Sequence, residues 1–298
     1  MERVVGRETE RDVAATFLAA AASIPAVLTL EGEAGIGKTT LVRYVVRLAR
    51  EAGSQVLHCR PTDAESALSF AGLTDLLAGV ADDVFDGLPS PQGRALAVAV
   101  LRQEPTGAAP DARAIGTGLG TALTGLATAR PLLVVVDDAQ WLDRPSLQAL
   151  TFALRRVRGV PVGVLVSRRT GTAGAADLAA ALPDPGWRQT LNLAGLGSAA
   201  LFHVVRDELG LPLSHPSLVR IAESSQGNPY IAIELARVAA RAGSGTAADR
   251  PLPDSLHALT ADRLGGLSPA AAEAVLAVAC SARPTLTLID GLGVRSGL

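Results

Sequence analysis

Five apolar runs bounded by turn signals punctuate the first two hundred residues: Ala26 to Glu31, Gln55 to Arg60, Leu132 to Asp137, Val162 to Ser167 and Gln189 to Leu193. Runs of this length with β-branched enrichment predict buried strands. Helical periodicity fills the chain between them, as in Thr39 to Glu51, where Leu41, Val45 and Leu48 fall on one face. Strands alternating with helices predict an α/β fold, a five-stranded parallel sheet flanked by helices. Ligands of such sheets bind beyond the carboxyl ends of the strands.

From Ser198 the pattern is wholly helical, with segments at Ser198 to Leu209, Ser217 to Ser224 and Pro229 to Ala242. A polar linker, GSGTAADRPLP, follows, then two more helical stretches at Asp254 to Leu264 and Pro269 to Cys280. We therefore expect a nucleotide-type α/β domain over 1–197, a small helical lid over 198–245, and the start of a winged-helix-like unit over 246–298. The segment Ala114 to Ala129 carries Gly116, Gly118 and Gly120 in alternation, yet it follows no predicted strand, so a dinucleotide-binding loop is rejected there.

Composition narrows the partners. With 48% hydrophobic and 19% charged residues the chain is globular, and 3% aromatic content leaves Ala, Val and Leu to fill the core. A formal net charge of -2 gives no global positive field for nucleic acid or anionic lipid. The acidic start MERVVGRETERD lacks the basic-then-apolar order of a secretory signal. Ala14 to Leu30 is uncharged but is interrupted by Ser23 and Pro25, which fits a helix, a turn and a strand rather than a membrane span. Two cysteines far apart, Cys59 and Cys280, suit a reduced cytoplasmic protein without zinc, and His58 beside Cys59 reads as a strand residue.

The strongest motif sits where the fold predicts a ligand. Gly32, Glu33, Ala34, Gly35, Ile36, Gly37, Lys38 and Thr39, followed by Thr40, satisfy the Walker A pattern between a strand and a helix. Glycines turn successive N–H groups inward and form an anion nest at the helix N-terminus. Each charge-assisted hydrogen bond there contributes about 1.5–3 kcal/mol and the helix dipole about 0.3–1 kcal/mol more. Lys38 is the sole lysine among 27 basic residues, all others being arginine. A compact ammonium reaches between phosphates in a way a planar guanidinium does not. Lys38 is expected on the β- and γ-phosphates and the Thr39 hydroxyl on Mg²⁺.

A second apolar strand ends in Asp137 and Asp138. Beside a P-loop, Asp137 is expected to hold Mg²⁺ and Asp138 to orient and polarise an attacking water. The competing account is that the pair caps the helix beginning near Arg144. Arg168 and Arg169 end another strand on the same rim; either could sense the γ-phosphate, and Arg168 is the expected sensor. Arg155, Arg156 and Arg158 are expected to decorate the end of the preceding helix.

Together these motifs resemble the STAND class of signal-transduction ATPases, and most closely the AAA-like ATP-binding module of large LuxR-type transcriptional regulators. Val4-Val5-Gly6-Arg7-Glu8 is similar to the family's N-terminal hhGRE motif, which implies that Val5, Gly6 and Arg7 lie near the adenine. Cys59 to Leu77 is similar to the segment after the second strand, and Val134 to Leu147, with Trp141 and Asp143, to the Walker B region. Ser167-Arg168 matches the sensor strand end. Gln226-Gly227-Asn228-Pro229 resembles the lid motif whose proline approaches the nucleotide, which implies a contact from Pro229.

The resemblance implies an ATP/ADP switch using Mg²⁺, with protein partners or self-association, no membrane, and slow ATP hydrolysis. The helical repeats and helix-turn-helix that such regulators usually carry are not supplied here, so no direct nucleic-acid binding is expected. A small-molecule kinase would need an acceptor pocket, and no second group of titratable residues provides one. A nucleotide-stabilised interaction scaffold would have no use for both Asp137 and Asp138.

Overall fold

The five apolar runs pair side by side as one sheet in the order β2-β3-β4-β1-β5, every ladder parallel. They are β1 (Ala26–Gly32), β2 (Gln55–Cys59), β3 (Leu132–Val136), β4 (Val162–Arg169) and β5 (Trp187–Asn192). The computed structural model describes residues 4–105, 109–172, 176–210 and 214–242, with the further helical positions 271, 273, 275 and 276. The linker, the expected helices at Asp254 to Leu264 and Pro269 to Cys280, and hence the winged-helix-like unit, otherwise lie outside the described residues. The chain divides into two compact units, Met1–Leu196 and Gly197–Leu298.

Parallel neighbours require crossovers, and helices supply them on both faces. On one face Leu28 and Leu30 of β1, Leu133 and Val135 of β3 and Leu165 of β4 pack with α1 (Glu8–Ala21) and α2 (Lys38–Glu51). On the other, Val27, Val134, Val136, Val164 and Val166 pack with α3 (Ala71–Leu77), α6 (Ala112–Ala129) and α7 (Arg144–Leu154). Two short helices, α4 (Asp82–Asp86) and α5 (Ser90–Ala99), precede α6, and α8 (Ala176–Ala181) follows β4.

Strand ends differ from the sequence reading in an informative way. β2 and β3 stop one residue earlier, at Cys59 and Val136, while β1 and β4 run on to Gly32 and Arg169, still paired with each other. Hydrogen bonding to a neighbour, which periodicity does not register, carries these polar residues into the ladder. β5 begins at Trp187 because that residue pairs with Ala26 and its ring meets Phe17 of α1, centroids 5.6 Å apart.

The alternating glycines belong to the helix α6, started by Asp111, whose side chain accepts from the Arg113 N–H. They permit close packing. A Cβ at Gly116 would lie 2.7 Å from Phe152 Cδ1 in α7, and one at Gly118 would lie 2.8 Å from the Gln92 carbonyl oxygen in α5. Gly125, on the same helix, has nothing within 4 Å of that position.

A buried guanidinium ties the amino-terminal segment down. Arg7, 7% exposed, donates to the Ile36 carbonyl at 3.1 Å and the Ala194 carbonyl at 2.6 Å, and pairs with Glu10 at 2.7 Å. It thus joins the start of α1, the loop between β1 and α2, and the exit of β5.

The second unit holds α9 (Ser198–Leu209), α10 (His215–Ser225) and α11 (Pro229–Ala242). Among its described residues, Leu201, Val205, Ile221, Ala232, Leu235 and Ala236 are the buried apolar ones. α10 starts two residues before the predicted Ser217 because Ser214 is its cap, accepting from the Ser217 N–H at 3.3 Å, and Pro216 fits its first turn. Asn228 Oδ1 accepts from the Tyr230 N–H at 3.1 Å and so starts α11.

Two pairs of variants check this packing by urea unfolding. Gly118→Ala forces α5 and α6 apart and is expected to lower stability by about 1–3 kcal/mol. Gly125→Ala gains helix propensity in open space and is expected to raise it by about 0.5–1 kcal/mol. Arg7→Ala leaves the Ile36 and Ala194 carbonyls without their donor and is expected to cost about 1–3 kcal/mol for each buried acceptor. Arg7→Lys, which lacks the planar fork, recovers only part of that loss.

Candidate functional site

β1 delivers the chain to Gly32, where a Cβ would fall 2.8 Å from Ile36 Cγ2 and 3.2 Å from the Leu193 carbonyl oxygen, so only glycine fits the turn. The loop then passes through left-handed conformations at Gly35 (φ 78°) and Gly37 (φ 104°), and Gly37 is the N-cap of α2. The first amides of a helix have no intrahelical acceptor, and the dipole makes that end positive. Lys38, Thr39 and Thr40 form that first turn, directly after the loop that joins β1 to α2. Among the charged residues here Lys38 is buried at 6% exposure, and its Nζ donates to the carbonyls of Gly32 at 2.9 Å and Glu33 at 2.8 Å.

Burial lowers the Lys38 pKa, and the nearby charge of Arg169 adds to the effect, while Asp138 and Asp137 oppose it. These couplings place both carboxylates and Arg169 around the ammonium. An incoming anion would relieve the first two costs together.

Asp137 lies directly after β3, is fully buried, and its N–H donates to the Cys59 carbonyl at 3.0 Å. The Ser167 hydroxyl donates to Asp137 Oδ1 and accepts from the Asp138 N–H at 2.8 Å. Asp138 itself adopts a left-handed conformation, φ 61°, which aspartate tolerates better than most residues. Its Oδ1 accepts from Gln140 Nε2 at 3.0 Å.

Asp137 Oδ2 is buried with no hydrogen-bond donor, the nearest cation being Arg60 Nε at 3.7 Å. An orphaned carboxylate oxygen is costly in isolation, and it fits a site for a divalent cation. Among the described residues no group of three or more His, Cys, Asp or Glu could hold a metal. A cation here would therefore take Asp137, the Thr39 hydroxyl and oxygens of its phosphate ligand. The capping account of the pair fails, because Asp143 caps α7. The Asp143 carboxylate accepts from the N–H groups of Ser146 at 2.9 Å, Phe70 at 2.8 Å and Gly72 at 3.0 Å, fastening α3 to α7.

The two terminal arginines of β4 part company. Arg168, the expected sensor, pairs across the ladder with Glu31 and donates to its Oε1 from both Nε, at 2.8 Å, and Nη2. Arg169 lies with its guanidinium carbon 5.5 Å from the Trp141 ring centroid, and its N–H donates to Gln140 Oε1 at 3.2 Å. Arg60 and Gln140 carry no role in the sequence reading, whereas Ser167 and Arg169 were named there with the strand end. The signal that puts Ser167 and Arg169 on one face is the strand's period of two, counted from the buried Leu165.

Of the remaining expectations, Val5 and Gly6 are half-buried and lead into Arg7, whose guanidinium holds the loop carbonyl of Ile36. Pro229 stands in the second unit, as the first residue of α11. His58 is a β2 residue whose Nε2 is buried without a partner, and burial lowers its pKa. Cys59 is a buried free thiol, pushed well above the usual thiol range by desolvation and hence inert. Arg156 and Arg158 donate to the carbonyls of Phe152, at 2.8 Å, and Arg155, at 3.0 Å, as expected of residues ending a helix.

Comparison with known proteins follows these lines. The ORC1 protein of Aeropyrum pernix, solved in complex with DNA, is 17% identical with a TM-score of 0.54, over 98% of this chain and 77% of that one. The Holliday junction branch migration motor RuvB of Thermotoga maritima is 18% identical with a TM-score of 0.47, over 97% and 83% respectively. At such identities the first likeness is one of fold. Among curated proteins none matches. The family model for the AAA ATPase domain matches residues 3–166, more than half of the chain, and that segment contains the Gly32–Thr40 loop, Asp137 and Asp138. The chain belongs to the AAA ATPase domain family.

Proposed function

We propose that this protein is an ATP/ADP switch of the STAND class, the ATP-binding module of a LuxR-type transcriptional regulator. The observation that carries the reading is one constellation: Lys38 buried in an amide nest beside Asp137, whose second oxygen has no donor. Lys38 leaves two loop carbonyls for the β- and γ-phosphates, a better partner for an ammonium. Thr39 and Asp137 hold Mg²⁺, which neutralises charge on the phosphate oxygens. Asp138 orients a water toward the γ-phosphorus, its carboxylate aimed by Gln140 and by its own left-handed backbone.

The hhGRE segment, the DDAQWLD run and the Gly227-Asn228-Pro229 turn support the finer assignment by their order in the chain. In this reading residues 198–245 are the lid. Moving a two-state balance decisively takes about 5.5 kcal/mol of differential affinity, which contacts made only to the γ-phosphate supply. Turnover is slow, as a switch requires. The net charge of -2 gives no support to a direct contact with nucleic acid, so we infer that output passes through protein partners or self-association. No described helix is long and apolar enough to cross a membrane. The two widely spaced cysteines, in no metal-ligand spacing, favour a reducing cytoplasmic setting.

Titration with labelled ATP tests the site. Lys38→Ala is expected to weaken ATP binding at least tenfold, in line with the loss of charge-assisted bonds of about 1.5–3 kcal/mol; unchanged affinity would end this reading. Asp138→Asn is expected to keep nucleotide binding while phosphate release falls by a factor of about 10²–10⁴. Asp137→Asn is expected to abolish the gain in ATP affinity on adding Mg²⁺. Limited proteolysis patterns that are identical with ATP and ADP would argue against a switch and for a scaffold.

A further inference from the structure

The inner face of α7 is spent on the core, through Ala149, Leu150, Ala153 and Leu154. Its outer face carries an open groove of about 730 Å³, which among the described residues is lined by this helix and the two arginines that follow it. We propose that the groove docks an acidic amphipathic helix of a protein partner. The inference gives the switch an output surface; it rests on the switch reading for that purpose only, since the groove is built without reference to the nucleotide.

The lining positions Arg144, Leu147, Gln148, Phe152, Arg155 and Arg156 recur at the three- and four-residue spacing of a single helix face. Leu147 and Phe152, both half-buried, stand in the middle of the row, and the arginines, all exposed, stand at its two ends. Arg156 lays its guanidinium carbon 3.4 Å from the Phe152 ring centroid and donates to the Phe152 carbonyl at 2.8 Å. An apolar floor between two cationic ends is the result.

Nothing on the helix balances that charge. The sequence of α7, RPSLQALTFAL, contains no acid. The carboxylate of Asp143, the cap before it, is buried and occupied by three N–H groups. Among the described residues none of Arg144, Arg155 and Arg156 has a carboxylate at ion-pair distance. The helix dipole favours Arg155 and Arg156 at the C-terminal end, but it opposes a cation in the first turn, where Arg144 lies. Helix electrostatics therefore accounts for one end of the groove and not for the other. Carboxylates brought by a partner would satisfy both.

Dimensions and chemistry select the partner. Arg144 and Arg155 are separated by about 17 Å along the axis at 1.5 Å per residue, the length of about three helical turns. A helix with carboxylates in its first and last turns and apolar residues between them matches charge to charge and floor to floor, as in helix-in-groove recognition. A nucleic-acid backbone supplies the anions but nothing for Leu147 and Phe152. The formal net charge of -2 also provides no wider positive field to hold one. The chain from Asp138 to Asp143 leads straight into α7, so a partner seated here lies one short segment away from the Walker acidic pair.

The test is fluorescence anisotropy on the full 298-residue chain with a fluorescein-labelled peptide of about 14 residues, Glu in its outer turns and Leu in its middle turns. The unsubstituted protein is expected to bind it, and a version with Ser for Leu is expected to bind at least about tenfold more weakly. Arg144→Glu combined with Arg155→Glu is expected to weaken binding about tenfold or more, because two attractions become repulsions. Should that variant not fold, Arg144→Gln with Arg155→Gln is expected to weaken it about threefold to tenfold. Arg47→Glu, an equal change in charge per site on the opposite face of the sheet, is expected to leave the affinity within about twofold, since screening confines the effect to about 8 Å. Absence of peptide binding, unchanged affinity in the Arg144 and Arg155 variants, or an equal loss in Arg47→Glu would overturn the proposal. So would a short DNA duplex that binds more tightly than the peptide through the same arginines, or self-association that depends on them while the peptide is ignored. ADP affinity measured on the same samples separates the readings: peptide bound without nucleotide ends the switch and keeps the groove, and nucleotide bound without peptide ends the groove alone.

Discussion

Burial of the sheet on both faces is the constraint from which the rest follows. With α1 and α2 on one side and α3, α6 and α7 on the other, the strands β1, β3 and β4 have no solvent-facing row to spend on polar residues. Their polar side chains therefore collect where the ladder runs out, at Glu31, Asp137, Ser167, Arg168 and Arg169. At that edge the pleat still operates. It sends Asp137, Ser167 and Arg169 toward the P-loop helix and Glu31 with Arg168 away from it, so one geometric rule builds both a polar cluster and an ion pair.

Much of this was legible in the chain alone. The runs that became β1, β3 and β4 are so apolar that a buried parallel strand is their natural fate, and Gly32 to Thr40 announces a turn that only glycines can make. Asp137 and Asp138 were found for the same reason: charge at the end of a hydrophobic run demands a partner. What escaped was whatever depends on pairing. Periodicity ended β4 at Ser167, since Arg168 and Arg169 are not apolar, and a strand that ends there assigns no face to either arginine. Register with Glu31 and Gly32 of β1 extends the strand and supplies the parity.

Long-range polar contacts were similarly hidden. Asp143 reads as a helix cap, and it is one, but it also binds the amides of Phe70 and Gly72 some seventy residues earlier. Arg7 was expected near the adenine, yet its guanidinium donates to the carbonyls of Ile36 and Ala194. Neither partner carries a side-chain signature, because a backbone carbonyl is present at every residue. Such links are invisible to motif reading and visible only once the fold has brought the chain segments together.

Arg7 and Lys38 together show how the loop is held in readiness. Arg7 fixes the middle of the P-loop from outside through Ile36, while Lys38 holds its start from inside through Gly32 and Glu33. The first is a fixed brace, since the buried guanidinium is held by Glu10 as well as by its two carbonyls. The second is a provisional one, because a phosphate competes successfully with a neutral carbonyl for an ammonium. The difference in chemistry between the two cations, a rigid fork and a flexible point charge, is reason enough for a chain whose other Lys and Arg positions are all arginine to keep a single lysine at position 38.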